Sequence, residues 1–450
     1  MASLRNVLTE RLVFPVVQLG LQNGFYSRYR ELLESQWLTR DELETIQFER
    51  LKRLLTHAAQ RVPLYRELFR ARGLTLDDFR SVDDLQQLPI LTKDDFRKGF
   101  PERCTAEDIE QNRWIPNSTS GSTGMPFAFF MDRNLTGAKL ANYFRNYRWA
   151  GVRPGDRMLK LWGTHDADWK ETLFIRHVLR RDGFSAFDID RRGDRLLELI
   201  RSHRPRAMEA YTSAALKLAY LLQERGADDV TFDVVITSAE PLYPHQRELI
   251  AEVFQADVFD RYGSREFGIV AFDCEHHAGL HVNNETNIVE VVNSAGERLP
   301  PGEEGRLIIT SLTNYVMPLI RYEVGDVGAY SPGICPCGRE LPLLEGITGR
   351  VSDFIELPSG IRVPFIFFNY FFEGYGPFLR QFQVVYHPGE RLTVRLIPTS
   401  EFTSEHRDRI VRGLGREIGG EIPISLEMAR QIPLTKSGKV RPVVVEKPEG

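Results

Sequence analysis

The stretch "NSTSGSTGMPFAFFMD", residues 117–132, joins a loop rich in hydroxyl groups to an apolar run of strand character. Its glycines permit backbone conformations in which several amides point to one side, and the Ser and Thr hydroxyls add donors without a charge. Such a loop can cradle a phosphate. It is not of the Walker type, because no Gly-Lys-Ser/Thr follows and a strand, rather than a helix, is expected next. An ordinary surface hairpin has a similar composition, so the choice depends on partners elsewhere in the chain.

Composition excludes several classes of function. With 450 residues, of which 42% are hydrophobic, the chain can bury a large core and is expected to form two or more domains. The net charge of -4 is small and the 58 Lys and Arg residues are scattered, which argues against nucleic acid as a partner. Four cysteines in so long a chain do not make a disulfide framework, so we expect a protein of the reducing cytoplasm.

The best candidate for a membrane segment, "LVFPVVQLGL" (residues 12–21), does not predict a span. It is shorter than the roughly 20 residues that a spanning helix needs, and Pro15 interrupts it. It also lacks the charged start and the small-residue cleavage site of a signal peptide. We therefore expect a segment that is buried or packed on the surface.

Periodicity predicts an α/β body. Residues 41–72 show apolar residues at helical spacing until Pro63 interrupts them. From Arg157 onward, short apolar runs such as "RMLKLW" and "FDVVITS" alternate with helical stretches, as is typical of layered α/β domains. Closely spaced strands after Thr286 indicate a smaller β-rich subdomain, and a new unit of strands and helix begins at Gly349. We place a domain boundary there.

Five further short motifs follow the hydroxyl-rich loop in a fixed order. They are "SAEPL" (residues 238–242), "DRYGSREFG" (260–268), "LIRYEVGDVG" (319–328), "GR" (349–350) and "PLTKSGKVRP" (433–442). Two stretches precede the loop, "TIQFERLKRLLTHAAQRVPLYRELF" (45–69) and "LPILTKDDFR" (88–97). Together they make the chain resemble the adenylate-forming ligases, and within them the phenylacetate-CoA ligase-like branch that includes CapK-type proteins. The resemblance covers nearly the whole chain.

The resemblance implies an α/β fold and two half-reactions. A large N-terminal adenylation domain of several subdomains, residues 1–349, would be followed by a small mobile α+β domain, residues 350–450. A carboxylate would attack the α-phosphorus of MgATP to form an acyl-adenylate. The small domain would then rotate and admit a nucleophile, most often the CoA thiol, to the acyl carbon. ATP, Mg²⁺ and CoA are the expected cofactor and substrates.

The resemblance also assigns site residues by position. For the triphosphate they are Ser118, Ser120, Gly121, Ser122, Thr123 and Gly124. For the rest of the nucleotide they are Ala239, Glu240 and Pro241 at adenine, Tyr262 and Gly263 along the nucleotide, and Asp326 and Arg350 at the ribose. Glu266 would hold Mg²⁺, Lys439 would be the catalytic lysine, and Tyr211 and Phe267 would line the acid pocket. Each assignment suits the chemistry, since Mg²⁺ prefers carboxylates and an Asp can accept from two ribose hydroxyls.

Taken singly, these residues have simpler interpretations. Asp326 could cap a turn, Glu266 could be half of a surface ion pair, and Lys439 could be a solvated lysine. Their joint occurrence beside glycines and after apolar strands favours the functional interpretation. Phe267 and Trp162 could each line the acid pocket or belong to the hydrophobic core. A core position is the more common one for any single aromatic residue, because 11% of the chain is aromatic.

Three positions depart from the pattern of the family. Met125 stands where a Lys is usual in the phosphate loop, and Arg265 stands where a Ser or Thr usually precedes the Glu. Ser352, beside Asp353, occupies the hinge position that is usually charged. We interpret Arg265 as a replacement for the missing loop charge. Adenylation remains expected, while phosphate handling and domain rotation stay open.

A second constellation consists of "CEHHAGLH" (residues 274–281) and "CPCGR" (335–339). Thiolate and imidazole suit Zn²⁺, and two short clusters brought together would make a closed tetrahedral site. The preferred four ligands are Cys274, His281, Cys335 and Cys337, and similar Cys patterns occur in the branch that the chain resembles. The alternative is a set of thiols without a metal, since the spacing is not that of a common zinc finger.

The leading hypothesis is an ATP-dependent aryl- or acyl-CoA ligase acting on a small carboxylic acid. A second hypothesis keeps the adenylation but passes the acyl group to a carrier-protein thiol or to an amine. A third, motivated by Met125 and Ser352, is a non-catalytic nucleotide-binding homologue. The sequence does not name the acid.

Overall fold

The α-helices begin and end where prolines, glycines and capping residues punctuate the sequence. The structure, a computed structural model, describes residues 3–119, 127–163, 178–350, 354–373, 375, 378–435 and 440–446. In these ranges the α-helices are α1 (Leu4–Leu8), α2 (Phe14–Leu21), α3 (Phe25–Ser35), α4 (Arg40–Arg61), α5 (Pro63–Arg72), α6 (Lys93–Arg97), α7 (Arg133–Trp149), α8 (Ile189–His203), α9 (Thr212–Arg225), α10 (Pro244–Phe254), α11 (Phe365–Glu373) and α12 (Ser404–Glu417). A π-helical segment, Thr9–Val13, joins α1 to α2, and 3₁₀ turns occur at Leu76–Asp78, Asp83–Gln87, Gln111–Arg113 and Ala186–Asp188.

The predicted break in the N-terminal helical region is confirmed. Helix α4 ends at Arg61, and α5 begins with Pro63, whose missing amide hydrogen costs nothing at the first helical position. Thr39 opens α4 with a capping box: its hydroxyl accepts from the Glu42 amide, and the Glu42 carboxylate accepts from the Thr39 amide. Both helices pack against the core of the antiparallel half of the main sheet.

One sheet of eleven described strands forms the body. Its members are β3 (Met158–Trp162), β4 (Arg181–Ser185), β5 (Ala207–Tyr211), β6 (Val234–Ser238), β7 (Asp257–Ser264), β8 (Gly268–Asp273), β9 (Leu280–Val282), β10 (Asn287–Val292), β11 (Gly305–Ser311), β12 (Tyr322–Tyr330) and β13 (Leu343–Arg350). The order is β10-β11-β12-β13-β9-β8-β7-β6-β5-β3-β4. Strands β1 (Ile115–Ser118) and β2 (Ala128–Met131) form a separate antiparallel hairpin.

The parallel part of the sheet positions the candidate site. Strands β4, β3, β5, β6 and β7 are parallel neighbours, and helices α8, α9 and α10 connect them. Parallel strands present their carboxyl ends at one edge, where ligands of such sheets usually bind. Tyr211, Ser238 and Ser264 end β5, β6 and β7, so the motifs that follow these strands meet at that edge.

The strands after Thr286, which we predict to form a smaller β-rich subdomain, are present and belong to the main sheet. Strands β10, β11, β12 and β13 are antiparallel to one another, and β13 pairs with β9, so they extend the main sheet. The predicted closely spaced strands are confirmed, but pairing with a distant strand leaves no local signal in a sequence. The α/β fold class itself is confirmed.

The C-terminal part builds its own layers. Strands β14 (Phe354–Glu356) and β15 (Arg362–Pro364) pair as a hairpin. The second sheet has the order β18-β17-β16-β19, with β16 (Leu379–His387), β17 (Arg391–Pro398), β18 (Ile424–Met428) and β19 (Val443–Val445). Helices α11 and α12 share a hydrophobic core with it. The boundary between residues 349 and 350 stays a prediction.

None of the described helices combines the length and the apolar character that crossing a bilayer requires.

Candidate active site

The hydroxyl-rich loop connects the two strands of the β1–β2 hairpin. Ser118 ends β1 and pairs with Ala128 of β2, and the Thr119 amide donates to the Phe127 carbonyl at 2.9 Å. The strand predicted after the loop is therefore present as β2. The predicted phosphate ligands Ser120, Gly121, Ser122, Thr123 and Gly124, and also Met125, lie outside the described residues.

Two cations border the base of this loop. Arg265 Nη1 donates to the Ser118 carbonyl at 3.2 Å, so the arginine that departs from the family pattern lies against the loop. Lys139 Nζ of α7 donates to the Arg265 carbonyl at 2.5 Å. Burial lowers the pKa of Lys139 to about 8, against the opposing attraction of Glu266. The sequence analysis missed Lys139, because it belongs to no motif and its position depends on how α7 packs.

Glu266, the predicted Mg²⁺ ligand, lies in the turn between β7 and β8 and is 5% exposed. Its Oε1 accepts a hydrogen bond from the Tyr322 hydroxyl at 3.3 Å. A buried carboxylate is costly unless it is paired or coordinates a cation. Among the residues that the structure describes, Tyr322 and the nearby ammonium of Lys139 supply only part of what a carboxylate can accept. A buried carboxylate in this setting is compatible with a divalent cation as a further partner.

The side chains of Tyr262, in β7, and Asp326, in β12, are in contact. The Tyr262 hydroxyl donates to Asp326 Oδ2 at 2.8 Å. Asp326 lies opposite Arg350 in the register of β12 and β13, so the two predicted ribose ligands are direct neighbours in the sheet. Gly263 is predicted to lie along the nucleotide, and packing also requires a glycine at this position. A Cβ there would lie 2.3 Å from the Gly268 carbonyl oxygen.

The segment Ala239, Glu240 and Pro241 follows β6 in a strained turn. Ala239 has a φ of +70°, a left-handed conformation that costs an alanine free energy and that often marks functional turns. The Glu240 carboxylate accepts from the Ser213 amide at 2.7 Å and from the Val440 amide at 3.1 Å. Ala239 and Pro241 are exposed. Lys439, the predicted catalytic residue, lies outside the described residues but directly precedes Val440.

The two residues predicted for the acid pocket have different surroundings. Tyr211 lies at the carboxyl end of β5, with its ring 4.2 Å from that of Trp162. Phe267 is 2% exposed and its ring lies 6.0 Å from that of Tyr322, within the main core. Tyr211 therefore stands at the carboxyl edge of the parallel strands, while Phe267 has the surroundings of a core residue.

A buried charge cluster beside Trp162 was not found from the sequence. The Glu209 carboxylate, 2% exposed, lies 3.0 Å from Arg261 Nη2 and 3.4 Å from Lys160 Nζ. The nearby cations hold the pKa of Glu209 well below its usual range in spite of burial, and burial lowers the pKa of Lys160. Lys160 Nζ also lies 4.7 Å from the centre of the Trp162 ring. The sequence signal that could have revealed this cluster is the presence of charged residues inside otherwise apolar strands.

The cysteine and histidine residues of the second constellation come together as predicted. The ligand atoms of Cys274, His281, Cys335 and Cys337 lie within 4.8 Å of one another. Cys274 Sγ is 3.4 Å from Cys335 Sγ, and Cys337 Sγ is 3.3 Å from His281 Nε2. His281 Nδ1 faces the Leu341 carbonyl at 3.4 Å, the kind of contact that orients a ligating imidazole. Burial lowers the pKa of His281 to about 4, so the ring is neutral at neutral pH. The donor set is compatible with tetrahedral Zn²⁺.

Known proteins share sequence and fold with this chain. Residues 356–446 match the family model of the CapK C-terminal domain. The phenylacetate-coenzyme A ligase of Escherichia coli (strain K12) is 30% identical over 331 residues, which cover 72% of this chain and 74% of that protein. The corresponding ligase of Thermus thermophilus is 29% identical over 342 residues, 73% of this chain and 75% of that protein. A 2-hydroxyisobutyryl-CoA ligase in the postadenylation state has a TM-score of 0.76 at 21% identity over 91% of both chains, and so shares the fold.

Proposed function

Since this chain belongs to the phenylacetate-CoA ligase-like branch of the adenylate-forming enzymes, we propose that it is an ATP-dependent, AMP-forming acid–thiol ligase. It activates a carboxylic acid as an acyl-adenylate and transfers the acyl group to CoA. The family predicted from the sequence motifs is confirmed.

The hydrogen bond from the Val440 amide to the Glu240 carboxylate supports the proposal most directly. It brings the residue that follows Lys439 to the segment proposed to bind adenine, although 200 residues separate the two in the chain. Because Lys439 directly precedes Val440 in the chain, this contact supports a role for Lys439 at the phosphates of a bound nucleotide. The isolated bridge between Leu434 and Val440 closes the loop between these residues at its base.

In the first half-reaction we assign charge stabilisation to Lys439 and to Glu266. Lys439 neutralises the negative charge that develops on the α-phosphate as pyrophosphate leaves. Glu266 is proposed to hold Mg²⁺, which would act as a Lewis acid and help neutralise the charge of the phosphates. Asp326 and Arg350 hold the ribose, and residues 118–124 with Arg265 and Lys139 hold the triphosphate. Arg265 then supplies the charge that Met125 lacks.

In the second half-reaction the small C-terminal domain, residues 350–450, turns about the segment after Arg350 and withdraws Lys439. The separate sheet and core of this part support an independently moving unit. The acid is proposed to lie between Tyr211 and the turn at Glu266. CoA is the proposed acceptor; a carrier-protein thiol or an amine is the alternative to be tested. We propose the cytoplasm as the place of the reaction.

We also propose that Cys274, His281, Cys335 and Cys337 bind a structural Zn²⁺. The ion would tie the end of β8 and strand β9, where Cys274 and His281 lie, to the segment before β13, where Cys335 and Cys337 lie. All four ligands come from the protein, so the site would be closed, as structural zinc sites are.

Pyrophosphate release with a panel of aromatic and aliphatic acids tests the proposed function. Release that depends on one class of acid, followed by thioester formation when CoA is added, supports the ligase. If pyrophosphate is released but an acylated product forms only when a carrier protein or an amine is added, that compound is the acceptor. Nucleotide binding without release for any acid of the panel identifies the non-catalytic homologue and overturns the proposal.

A further inference from the structure

The first helical segment of the chain presents apolar side chains to solvent along its whole length. From Leu4 to Leu21 the backbone passes through α1, the π-helical segment and α2, about 27 Å at roughly 1.5 Å per residue. We call its solvent side the outer apolar face. Its members are 37% to 76% exposed and are Leu4, Val7, Leu8, Leu12, Val16, Leu19 and Leu21. A helix on the surface of a soluble protein normally turns polar residues outward, so a face of this kind indicates a binding surface.

The opposite side of the segment is fixed to the body of the protein. Asn6, 4% exposed, donates from Nδ2 to Asp156 Oδ1 at 2.9 Å. Glu10 accepts from Arg148 Nη1 at 2.8 Å, and Phe14, 1% exposed, is part of a buried aromatic cluster. These contacts set the rotation of the helix about its axis. The outer apolar face therefore cannot turn inward without breaking buried polar contacts.

The charges along this segment are positive on the solvent side. Arg5 and Arg11 are exposed between the apolar residues. The sequence of residues 1–24 contains a single acidic residue, Glu10, which is turned inward to Arg148. The exposed surface is thus apolar with a basic border, which is complementary to an anionic lipid surface.

A polar cleft continues this surface at the C-terminal end of α2. The cleft has a volume of about 470 Å³ and is lined by Gln22, Asn23, Gly24, Ser27, Arg28, Glu31, Arg133 and Asn134. Arg133 Nη1 donates to Gln22 Oε1 at 2.7 Å, which holds a third exposed arginine beside the end of the helix. Two guanidinium groups, those of Arg28 and Arg133, border a space large enough for a phosphate group.

We propose that the outer apolar face lies on an anionic lipid surface, so that the protein binds reversibly to membranes through an interfacial helix. Leu12, Val16 and Leu19 enter the boundary between headgroups and acyl chains, and Arg5 and Arg11 contact lipid phosphates. A protein partner fits the face less well. Binding hot spots at protein interfaces are rich in Trp and Tyr and poor in Leu and Val, whereas the outer apolar face consists of Leu and Val. It is also one helix wide, and a stable dimer buries about 800 Å² on each partner.

Co-sedimentation of the full chain with lipid vesicles tests the proposal. Vesicles of phosphatidylcholine with about one-third phosphatidylglycerol should bind the protein at low salt, and pure phosphatidylcholine vesicles should bind it more weakly. The double substitution Leu12→Gln, Val16→Gln keeps helix propensity and removes two exposed apolar side chains. It should lower partitioning into anionic vesicles at least about tenfold, because binding scales with buried apolar area.

A matched control and a charge variant complete the experiment. Ile334, 88% exposed and far from the segment in sequence, serves as the control: Ile334→Gln should bind vesicles like the unaltered protein. Arg11→Gln should weaken binding to anionic vesicles and leave the weaker binding to neutral ones unchanged. Equal melting temperatures of the variants establish that the fold is intact.

Two results would overturn the proposal. One is equal vesicle binding by the unaltered protein and the Leu12, Val16 double variant. The other is a shift from dimer to monomer in sedimentation velocity for the double variant, without vesicle binding by the unaltered protein. That second result would identify the outer apolar face as an interface between two copies of the chain.

Discussion

The hydroxyl of Tyr262 donates a hydrogen bond of 2.8 Å to Asp326 Oδ2 and so joins β7 to β12 at the candidate nucleotide site. One carboxylate oxygen of Asp326 is oriented by the phenol, and a carboxylate can accept several hydrogen bonds. A pair of adjacent ribose hydroxyls would supply such donors. Tyr262 thus positions the residue that we propose to bind ribose.

Asp326→Ala should weaken ATP binding by about 1.5–3 kcal/mol, because two ribose hydroxyls would lose a charged acceptor. Titration calorimetry measures the change directly. Tyr262→Phe keeps the carboxylate and removes only its orienting hydrogen bond, so it should cost less. An Asp326→Ala protein with unchanged nucleotide affinity would contradict the ribose assignment.

Glu266→Gln should preserve the shape of the turn while removing the charge that we propose to hold Mg²⁺. The expected result is an adenylation defect that shrinks as the Mg²⁺ concentration rises, because mass action offsets a weakened cation site. Pyrophosphate release measured over a range of Mg²⁺ concentrations checks it. Glu303→Gln, at an exposed glutamate, is the control and should leave the Mg²⁺ dependence unaltered. A defect of Glu266→Gln that is indifferent to Mg²⁺ would assign another role to this carboxylate.

The sequence predicted the parts of the site that follow strands. Glu266 and the segment at Glu240 follow the parallel strands β7 and β6, whose carboxyl ends gather at one edge of the sheet. Asp326 lies in the middle of β12, and its place was expected from the order of the family's motifs. The order of the motifs was therefore enough to expect them together.

Other parts of the site depend on packing that a sequence does not display. Lys139 is one residue of a long helix, and it reaches the turn after β7 because Gly268 lets α7 approach: a Cβ at Gly268 would lie 2.6 Å from Lys139 Cγ. Glu209, Lys160 and Arg261 come from three different strands, so only the strand order makes them neighbours. Strands β10–β13 likewise join the main sheet through pairing between distant parts of the chain, which the sequence does not display.

Lys139 should make the stability of the protein depend on pH. Its pKa is lowered to about 8 in the folded state, while an unfolded lysine has a pKa of about 10.4. Between these values the unfolded chain binds more protons, so the free energy of unfolding should rise with pH from about 8 to 10. Below pH 8 both states are protonated, and the cost of burying the ammonium is fully present.

Lys139→Met removes this titration with little change in volume. Urea unfolding at about pH 7.5 and about pH 9.5 should show that the unaltered protein gains stability relative to Lys139→Met as the pH rises. Lys52→Met, at an exposed lysine of α4, should show no such relative change. A stability difference between the unaltered protein and Lys139→Met that is the same at both pH values would contradict the lowered pKa.

The cysteine and histidine cluster should carry one zinc ion per chain. Elemental analysis of protein purified without chelator measures it, and Cys335→Ser should lower both the zinc content and the melting temperature, because one of four ligands is lost. Cys104→Ser is a matched control, since Cys104 is also buried but its thiol donates to the Phe96 carbonyl at 3.2 Å, away from the cluster. Zinc content near zero in the unaltered protein would show that the four residues form a metal-free cluster.

Lys436 and Lys439 compete for the catalytic role, and the Val440 contact distinguishes them. Val440 is tied to Glu240, so Lys439 is one residue from the candidate nucleotide site, whereas Lys436 is four residues away along the loop. Lys439→Ala should lower pyrophosphate release by a factor on the order of 10² or more, as expected when a charge aimed at the transition state is removed. Lys436→Ala should change it little.

Separate measurement of the two half-reactions tests the step in which Lys439 acts. Supplied with a pre-formed acyl-adenylate, the Lys439→Ala protein should still transfer the acyl group to CoA, because the proposed rotation withdraws the lysine before that step. Single-turnover thioester formation measures this transfer without the first half-reaction. Equal losses in both half-reactions would contradict the rotation, since they would require Lys439 in the site throughout. A larger loss for Lys436→Ala than for Lys439→Ala would instead move the catalytic role to the other lysine, and would mean that the contact of Val440 with Glu240 does not deliver its neighbour to the phosphates.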